Sequence, residues 1–432
     1  MDVEELFEAG SPLAARLRAA GPYASADELL GRAHVLSGRL TEVERVQTLA
    51  AHPRIGADPA GLSEPAREEQ GDDRVPELDD LNRRYEDRFG FRFVTFVDRR
   101  SKREVAGELR ARLERTRAEE LEAGLHAVLA IAADRVRRRR YEISYGKAEI
   151  TVYRTYGTPL RGVAPIPESA FTGRDNLLLA AVLDLDVFGD AFLASYTEGD
   201  NSQIVATDTM KHFVHEQALA YEGATLEGLA AHVGGRFLAT YPQAGRVRVR
   251  AREVPFAARS ERLLSEERGD HATVELDADR SGVRGLRCGR RDLHLLKLTG
   301  SRFAGFQRDA FTTLPERADR PLFVYLDVLW RYVDPRRAVA GGEGYVPSEQ
   351  VRDVVRSVFE EFVSLSIQHL VHEMGQRLLE RFPPLAEVSF EAQNRLWDTA
   401  VEPPEPEGRR RVYTDPRPAH GLIGLTLRRP EE

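Results

Sequence analysis

Cysteine occurs once in these 432 residues, as Cys288. No disulfide can form within the chain and no cysteine-rich metal cluster can be built, so a reducing, cytoplasmic setting is expected. Lysine is almost as scarce. Among 62 basic residues the lysines are Lys102, Lys147, Lys211 and Lys297. A lysine kept in an arginine-rich chain can mark a place where guanidinium fails, because only the ammonium group gives up its proton near neutrality when its surroundings favour that. The plain alternative is that four residues fell where they fell. Positive charge is not in excess: the net charge is −8, so neither nucleic acid nor an anionic membrane is expected as a partner. No run of about 18 apolar residues occurs, so no membrane span is expected. The opening stretch "MDVEELFEAGSPLAARL" lacks the basic and apolar regions of a signal peptide, and the closing "LRRPEE" carries no anchor or retention signal.

What is present is ordinary globular material, 42% apolar and 31% charged, enough for two or three domains at roughly 100–200 residues each. From Glu4 to about Arg139 the pattern is helical. "TEVERVQTLAAHP" spaces Val43, Val46, Leu49 and Ala50 on one face and stops at Pro53, and the stretch from Ser101 to Arg140 reads as two helices. Between them, "DPAGLSEPAREEQGDDRVPELDD" reads as loop with short helices. The run Arg137 to Arg140 reads as a solvated helix end.

The period then changes. "YEISYGKAEITVYRTYG" alternates as a strand. "LAAVLDLDVFGDAFLASYTEGDNSQIVATD" reads as a strand, a turn and a second strand. "TLEGLAAHVGGRFLATYP" is helical and "GRVRVRARE" alternates again. The order recurs later: strands in "GLRCGRRDLHLLKLTGS" and "RPLFVYLDVLWRYV", helix from Ser348 to Pro383, and a strand in "AEVSFEAQN". Pro242 and Pro383 end their helices 141 residues apart, each five residues ahead of a strand valine. The expected architecture is therefore an all-α unit over 1–139, then an α+β unit over 140–432. The latter is expected to be two tandem β-β-α-α-β-β repeats, about 140–285 and 286–432, with antiparallel sheets.

Two runs invite a metal reading: His212 and His215 before Glu216, and His369 and His372 before Glu373. Each pair shares a helix face. The spacing, however, fits neither H-E-x-x-H nor H-x-x-E-H, and the glutamate points elsewhere. The runs are 157 residues apart, so they do not superpose in the repeat; helix-face or interface histidines are the better reading. Thr207 and Asp208 stand at the end of the predicted second strand, where they could simply cap the next helix. Lys147, after Gly146, could be an exposed strand lysine. The segment from Leu298 to Arg320 is dense in Gly, Thr, Phe and Arg and poorly periodic, as functional loops are.

"YGK" (145–147), "YTEGDNSQIVATDTMK" (196–211), "LHLLKLTGSRFAGFQRDAFTTLPERADR" (293–320) and "SIQ" (366–368) with Asn394 resemble urate oxidase, in that family's order and spacing. The resemblance implies a tunnelling fold (T-fold) that assembles as a homotetramer with sites shared between subunits, and no metal or organic cofactor. Carried over residue by residue, Phe303 matches the aromatic that stacks on the purine. Arg320 matches its two-pronged guanidinium, Gln368 the amide on the opposite edge, and Ile367 a backbone contact. Lys147 and Thr207 match a proton-relay pair. Asn394 matches the amide that holds dioxygen or water, and Asp208 a ligand-positioning neighbour. Where the family has a histidine two residues after the asparagine, this chain has Leu396.

The N-terminal part has its own resemblance. "AAHPRIG" (50–56), "LSEPAREEQ" (62–70), "LNRRYEDRFGFRFV" (81–94) and "AIAADRV" (130–136) resemble 2-oxo-4-hydroxy-4-carboxy-5-ureidoimidazoline decarboxylase, an all-helical family. His52 matches its catalytic histidine, Glu69 and Gln70 its active-site pair, and Arg135 a substrate-gripping arginine. Together the two resemblances imply a fused purine-degrading enzyme acting on small molecules. The rivals are a metal hydrolase on the same fold, a purine-binding module without turnover, and an oxidase whose N-terminal part is only an appendage.

Overall fold

The computed structural model describes residues 3–56, 76–97, 100–260, 262–402, 411–414 and 418–430. The chain divides into two compact units, Met1–Glu142 and Ile143–Glu432.

The first unit is helical: α1 (Pro12–Ala20), α2 (Ala26–Ser37), α3 (Glu42–Ala51), α4 (Pro76–Phe89), α5 (Lys102–Arg112) and α6 (Arg117–Arg140). Local signals set the boundaries. Ser11, Ser25, Thr41, Ser101 and Thr116 cap their helices through side-chain oxygens, the last three in full capping boxes with Glu44, Glu104 and Glu119. Each such cap is worth about 1 kcal/mol. The core is Leu13, Leu17, Leu29, Leu49, Leu78, Tyr85, Phe93 and Leu109 with their neighbours. Tyr85 and Arg112 both donate to Oε2 of the buried Glu120 carboxylate.

The second unit is one eight-stranded antiparallel sheet with helices on one face. Its elements are β1 (Ser144–Thr155), β2 (Leu178–Phe188), the short α7 (Leu193–Thr197), α8 (Thr207–Ala220), α9 (Leu226–Thr240), β3 (Arg246–Glu253), the hairpin β4 (Phe256–Ala258) and β5 (Leu264–Glu266), and β6 (His271–Asp279). Then follow β7 (Gly282–Lys297), β8 (Leu322–Tyr332), the short α10 (Pro335–Ala340), α11 (Ser348–Glu361), α12 (Ile367–Arg381), β9 (Leu385–Asn394), β10 (Thr399–Val401), β11 (Val412–Tyr413) and β12 (Gly421–Arg428). The large sheet runs β1-β2-β3-β6-β7-β8-β9-β12, every pair antiparallel. Alternation decides its faces: Val247, Val249 and Ala251 of β3 are buried under the helices. Arg248 and Arg250 point the other way and pair with Asp277, Asp184 and Asp186. Among the described residues no helix is long and apolar enough to cross a membrane.

The expected duplication is real and detailed. In the first repeat α8 packs on β1 and α9 on β3 and β6; in the second α11 packs on β7 and α12 on β9 and β12. Each first strand carries a register shift, between Lys147 and Ile150 and between Arg290 and Leu293. In each bulge a residue with positive φ, Glu149 or Asp292, gives its backbone N–H to an aspartate on the next strand, Asp184 or Asp327, at 2.8 Å. The bridge between Leu160 and Arg174 recurs as Phe303 and Arg317. One expectation fails. No strand forms ahead of Thr207, because Ile204 bonds locally to Asn201 and the N–H of Val205 is taken by the Tyr145 hydroxyl instead of a strand partner.

Gly146 is required by close approach. A Cβ there would lie 2.1 Å from the Leu185 carbonyl oxygen. Gly146→Ala is therefore expected to cost about 3 kcal/mol of stability, read as a lowered denaturation midpoint of the second unit; an unchanged midpoint would remove this account of the glycine.

Candidate active site

The oxidase-type residues form two groups. The first lies on the first repeat. Lys147 stands in β1 at the bulge, half-exposed. Thr207 is the first residue of α8, but its hydroxyl does not cap the helix: the N-cap is Ala206 and no side-chain cap bond is made. The capping reading of Thr207 is thus wrong, and the hydroxyl stays exposed. Asp208 accepts from Lys211 Nζ at 2.7 Å and has His212 Nε2 at 3.4 Å. The hydrogen bond and charge of Lys211 hold its carboxyl below the usual range, with smaller contributions from His212 and Lys147. Lys147 therefore lies within electrostatic reach of the Thr207-Asp208 turn.

The second group lies on the second repeat. The segment after β7 is laced to the approach of α12: Ser301 bridges Ser364, Arg302 N–H donates to Ser364 O, and Ser364 N–H to Gly300 O. This brings the Phe303 loop beside Ile367 and Gln368 at the start of α12. Arg320 stands over the Phe303 ring, 5.3 Å from its centroid, and Phe303 stacks on Phe306. Burial lowers the pKa of Arg320. Asn394 ends β9 opposite Val324 and Gly421. Arg320 Nε and Asn394 Oδ1 are both buried without a hydrogen-bond partner among the described residues, while Gln368 is exposed and Ile367 buried. Leu396 is 38% exposed and offers no proton-carrying atom.

The two groups do not meet within one chain. From β1 to β9 there are six strand-to-strand steps, a path of about 29 Å at roughly 4.8 Å per step. Their counterparts, however, do meet inside the chain. Gly146-Lys147 corresponds to Gly289-Arg290, Thr207-Asp208 to Ser348-Glu349 at the start of α11, Gln368 to Glu227, and Asn394 to Glu253. Arg290 Nη1 reaches Glu253 at 3.0 Å and Ser348 Oγ at 3.4 Å. Ser348, like Thr207, begins a helix without a side-chain cap.

Two of the scarce lysines outside Lys147 have structural work. Lys211 holds Asp208. Lys297 donates to the carbonyls of Phe359 and Phe362 at the end of α11, at 3.1 and 2.6 Å, and burial lowers its pKa. The histidine runs lie on α8 and α12, non-equivalent helices. His215 bonds to Thr151 O, and His369 sits edge-on to Phe362. Among the described residues no group of three or more His, Cys, Asp or Glu could hold a metal ion.

In the helical unit His52 ends α3 and is 6% exposed. Burial lowers its pKa from 6.5 to about 4, helped by the charges of Arg135 and Arg92, so its 4.0 Å contact with Glu8 joins a neutral imidazole to a carboxylate at pH 7. Arg135 donates to Leu6 O and to Glu8 Oε1, and Arg92 to His52 O. Glu69 and Gln70 lie outside the described residues. Glu8 and Arg92 escaped the sequence reading; the only signal for Glu8 was its place just before the Ser11-Pro12 helix start.

The unfolded chain would bind a proton at His52 below about pH 6.5 that the folded chain refuses until about pH 4. The helical unit should therefore lose stability as pH falls through that window, by on the order of 3 kcal/mol. His52→Gln should flatten this dependence in pH-resolved unfolding curves; an unaltered slope would contradict it.

The comparisons agree with this division. The model of the OHCU decarboxylase family matches residues 2–137, and that of the uricase family matches 143–282 and 286–424. The chain is 36% identical to the uric acid degradation bifunctional protein of Bacillus sp. (strain TB-90), over 98% of this chain and 91% of the relative. It is 44% identical to the uricase of Haloferax volcanii, over 62% of this chain and 96% of that one. The crystal structure of Bacillus sp. TB-90 urate oxidase matches with TM-score 0.64 and 41% identity, covering 66% of this chain and 100% of its own. The chain thus belongs to the uricase family, its two T-fold repeats preceded by an OHCU decarboxylase domain.

Proposed function

We propose that the second unit oxidises urate with O₂ and water to 5-hydroxyisourate and hydrogen peroxide, and that the first decarboxylates OHCU to allantoin. The observation that carries the oxidase reading is a pair of buried, unpartnered atoms, Asn394 Oδ1 at the end of β9 and Nε of Arg320, whose guanidinium stands over the Phe303 ring. Leaving such atoms unpaired costs about 1–3 kcal/mol each, a cost that a planar polar ligand would offset. Phe303 takes the purine face. Arg320 grips one edge, Gln368 and the backbone near Ile367 the other, and Asn394 faces the oxygen side. Asp208, fixed by Lys211, positions the ligand. Thr207 passes the substrate proton to Lys147, a step a guanidinium could not complete. The electrons come from urate itself, so the residues named need only bind, orient and move a proton.

In this reading the site is shared, Lys147 and Thr207 of one copy facing Phe303, Arg320 and Gln368 of another, in a homotetramer. The internal meeting of Arg290 and Ser348 with Glu253 supports it, because it pairs the same two kinds of surface. The open sheet edges at β1 and β12 support it as well. In the helical unit His52 acts as the proton-transfer group, Arg135 grips the substrate carboxylate now mimicked by Glu8, and Glu69 and Gln70 complete the site. The scarcity of cysteine supports a cytoplasmic setting. The test is aerobic incubation with urate, following its near-UV absorbance and peroxide together: both should change in step, and failure of metal-stripped protein to consume urate would overturn the oxidase reading. His52→Ala should abolish decarboxylation and leave urate oxidation intact.

A further inference from the structure

The junction of the two repeats holds a partly open cavity of ≈ 240 Å³, lined by Glu227, Glu253 and Asn176 from the first repeat and Tyr345, Ser348 and Glu349 from the second. These positions repeat the oxidase-type group with altered chemistry. Glu227 stands where the second repeat has Gln368, both the second residue of their helices and each preceded by a capping hydroxyl, Thr225 or Ser366. Leu160 replaces Phe303, Leu177 replaces Arg320, and Arg290 replaces Lys147. Of the three carboxylates, Glu253 is held by Arg290 at 3.0 Å and Glu349 by Arg174 at 2.6 Å. Glu227 is 4% exposed and has the Cys288 thiol for a neighbour.

The substitutions define what would fit. An amide offers one donor and one acceptor, so its complement is an edge with one of each; a carboxylate only accepts, so its complement must donate twice. Arg320 has no counterpart, and the Arg174 guanidinium that lines the cavity is engaged by Glu349 at 2.6 Å, so a neutral ligand fits better than an anion. With arginine for Lys147, no proton is taken and no turnover follows. Resting on the urate-site reading of Gln368, we propose that this cavity is a second, non-catalytic binding site for a neutral nitrogen heterocycle carrying an amino group beside a ring N–H, held through Glu227.

The probe is isocytosine, which presents that two-donor edge, with uracil, which presents a mixed edge, as comparator. Calorimetric titration of the full chain at pH 8, above the value of about 7 to which burial raises Glu227, should show one isocytosine per chain. Arg320→Ala should bind it equally, and Glu227→Gln at least about tenfold more weakly, with uracil gaining instead. Urate oxidation by Glu227→Gln should stay within about twofold of the unaltered chain, which also reports its folding. In the unaltered chain isocytosine should raise the denaturation midpoint of the second unit, independently of any variant. No saturable heat together with an unmoved midpoint would overturn the proposal, as would binding lost in Arg320→Ala and kept in Glu227→Gln. Urate turnover tests the oxidase reading separately, so the two can fail apart.

Discussion

Lys147→Met should lower urate oxidation by ~10²–10⁴-fold, the usual span for losing a positioned proton acceptor, while urate still binds. Methionine keeps the reach of the side chain and removes its basicity. The groups proposed to hold urate, Phe303, Arg320 and Gln368, belong to the other repeat, with six strand-to-strand steps between β1 and β9, so affinity should change little. Lys147→Arg should fare no better, because guanidinium keeps its proton. Peroxide release gives the rate, and equilibrium dialysis under anaerobic conditions gives the affinity. Turnover close to normal in the methionine variant would remove Lys147 from the chemistry, and loss of binding would make it a binding group.

The second large effect is a gain. Lys147→Met spoils the relay side of a shared site, and Arg320→Ala spoils the gripping side. Each alone should be nearly inactive. Unfolded together and refolded as mixed assemblies, they should recover about a quarter of normal activity, because a quarter of randomly paired sites would draw both sides from undamaged copies. If mixtures stay as inactive as their components, each site lies within one chain and the shared reading falls. The roughly 29 Å between the two groups along the sheet argues against that outcome.

Much of the fold was legible. Helical period located α3, α5 and α6, and equal spacing of Pro242 and Pro383 exposed the duplication. Two local signals misled. "SQIVATD" looks like a strand by composition, yet the Tyr145 hydroxyl takes the N–H that pairing would need. Thr207 looks like a cap, yet the helix begins one residue earlier and leaves the hydroxyl outside. In both cases a contact or a frame shift of one residue decided the matter, and neither is encoded in periodicity. The resemblance could nominate Phe303, Arg320 and Asn394, but not that Arg320 Nε and Asn394 Oδ1 would be left unpaired; that depends on tertiary packing. The correspondence of Glu227 with Gln368 was available from the repeat spacing, but its meaning needed the cavity.

The bulge partners, the matched helices and the Arg290–Glu253 contact make one junction between repeats internal, tethered by the chain itself. That junction forms at a fixed effective concentration and is indifferent to how much protein is present. A junction between separate copies enjoys no tether and obeys mass action. With the oxidase site shared as proposed, dilution should therefore silence urate turnover while every individual chain remains folded, and a covalent link between copies should abolish that sensitivity.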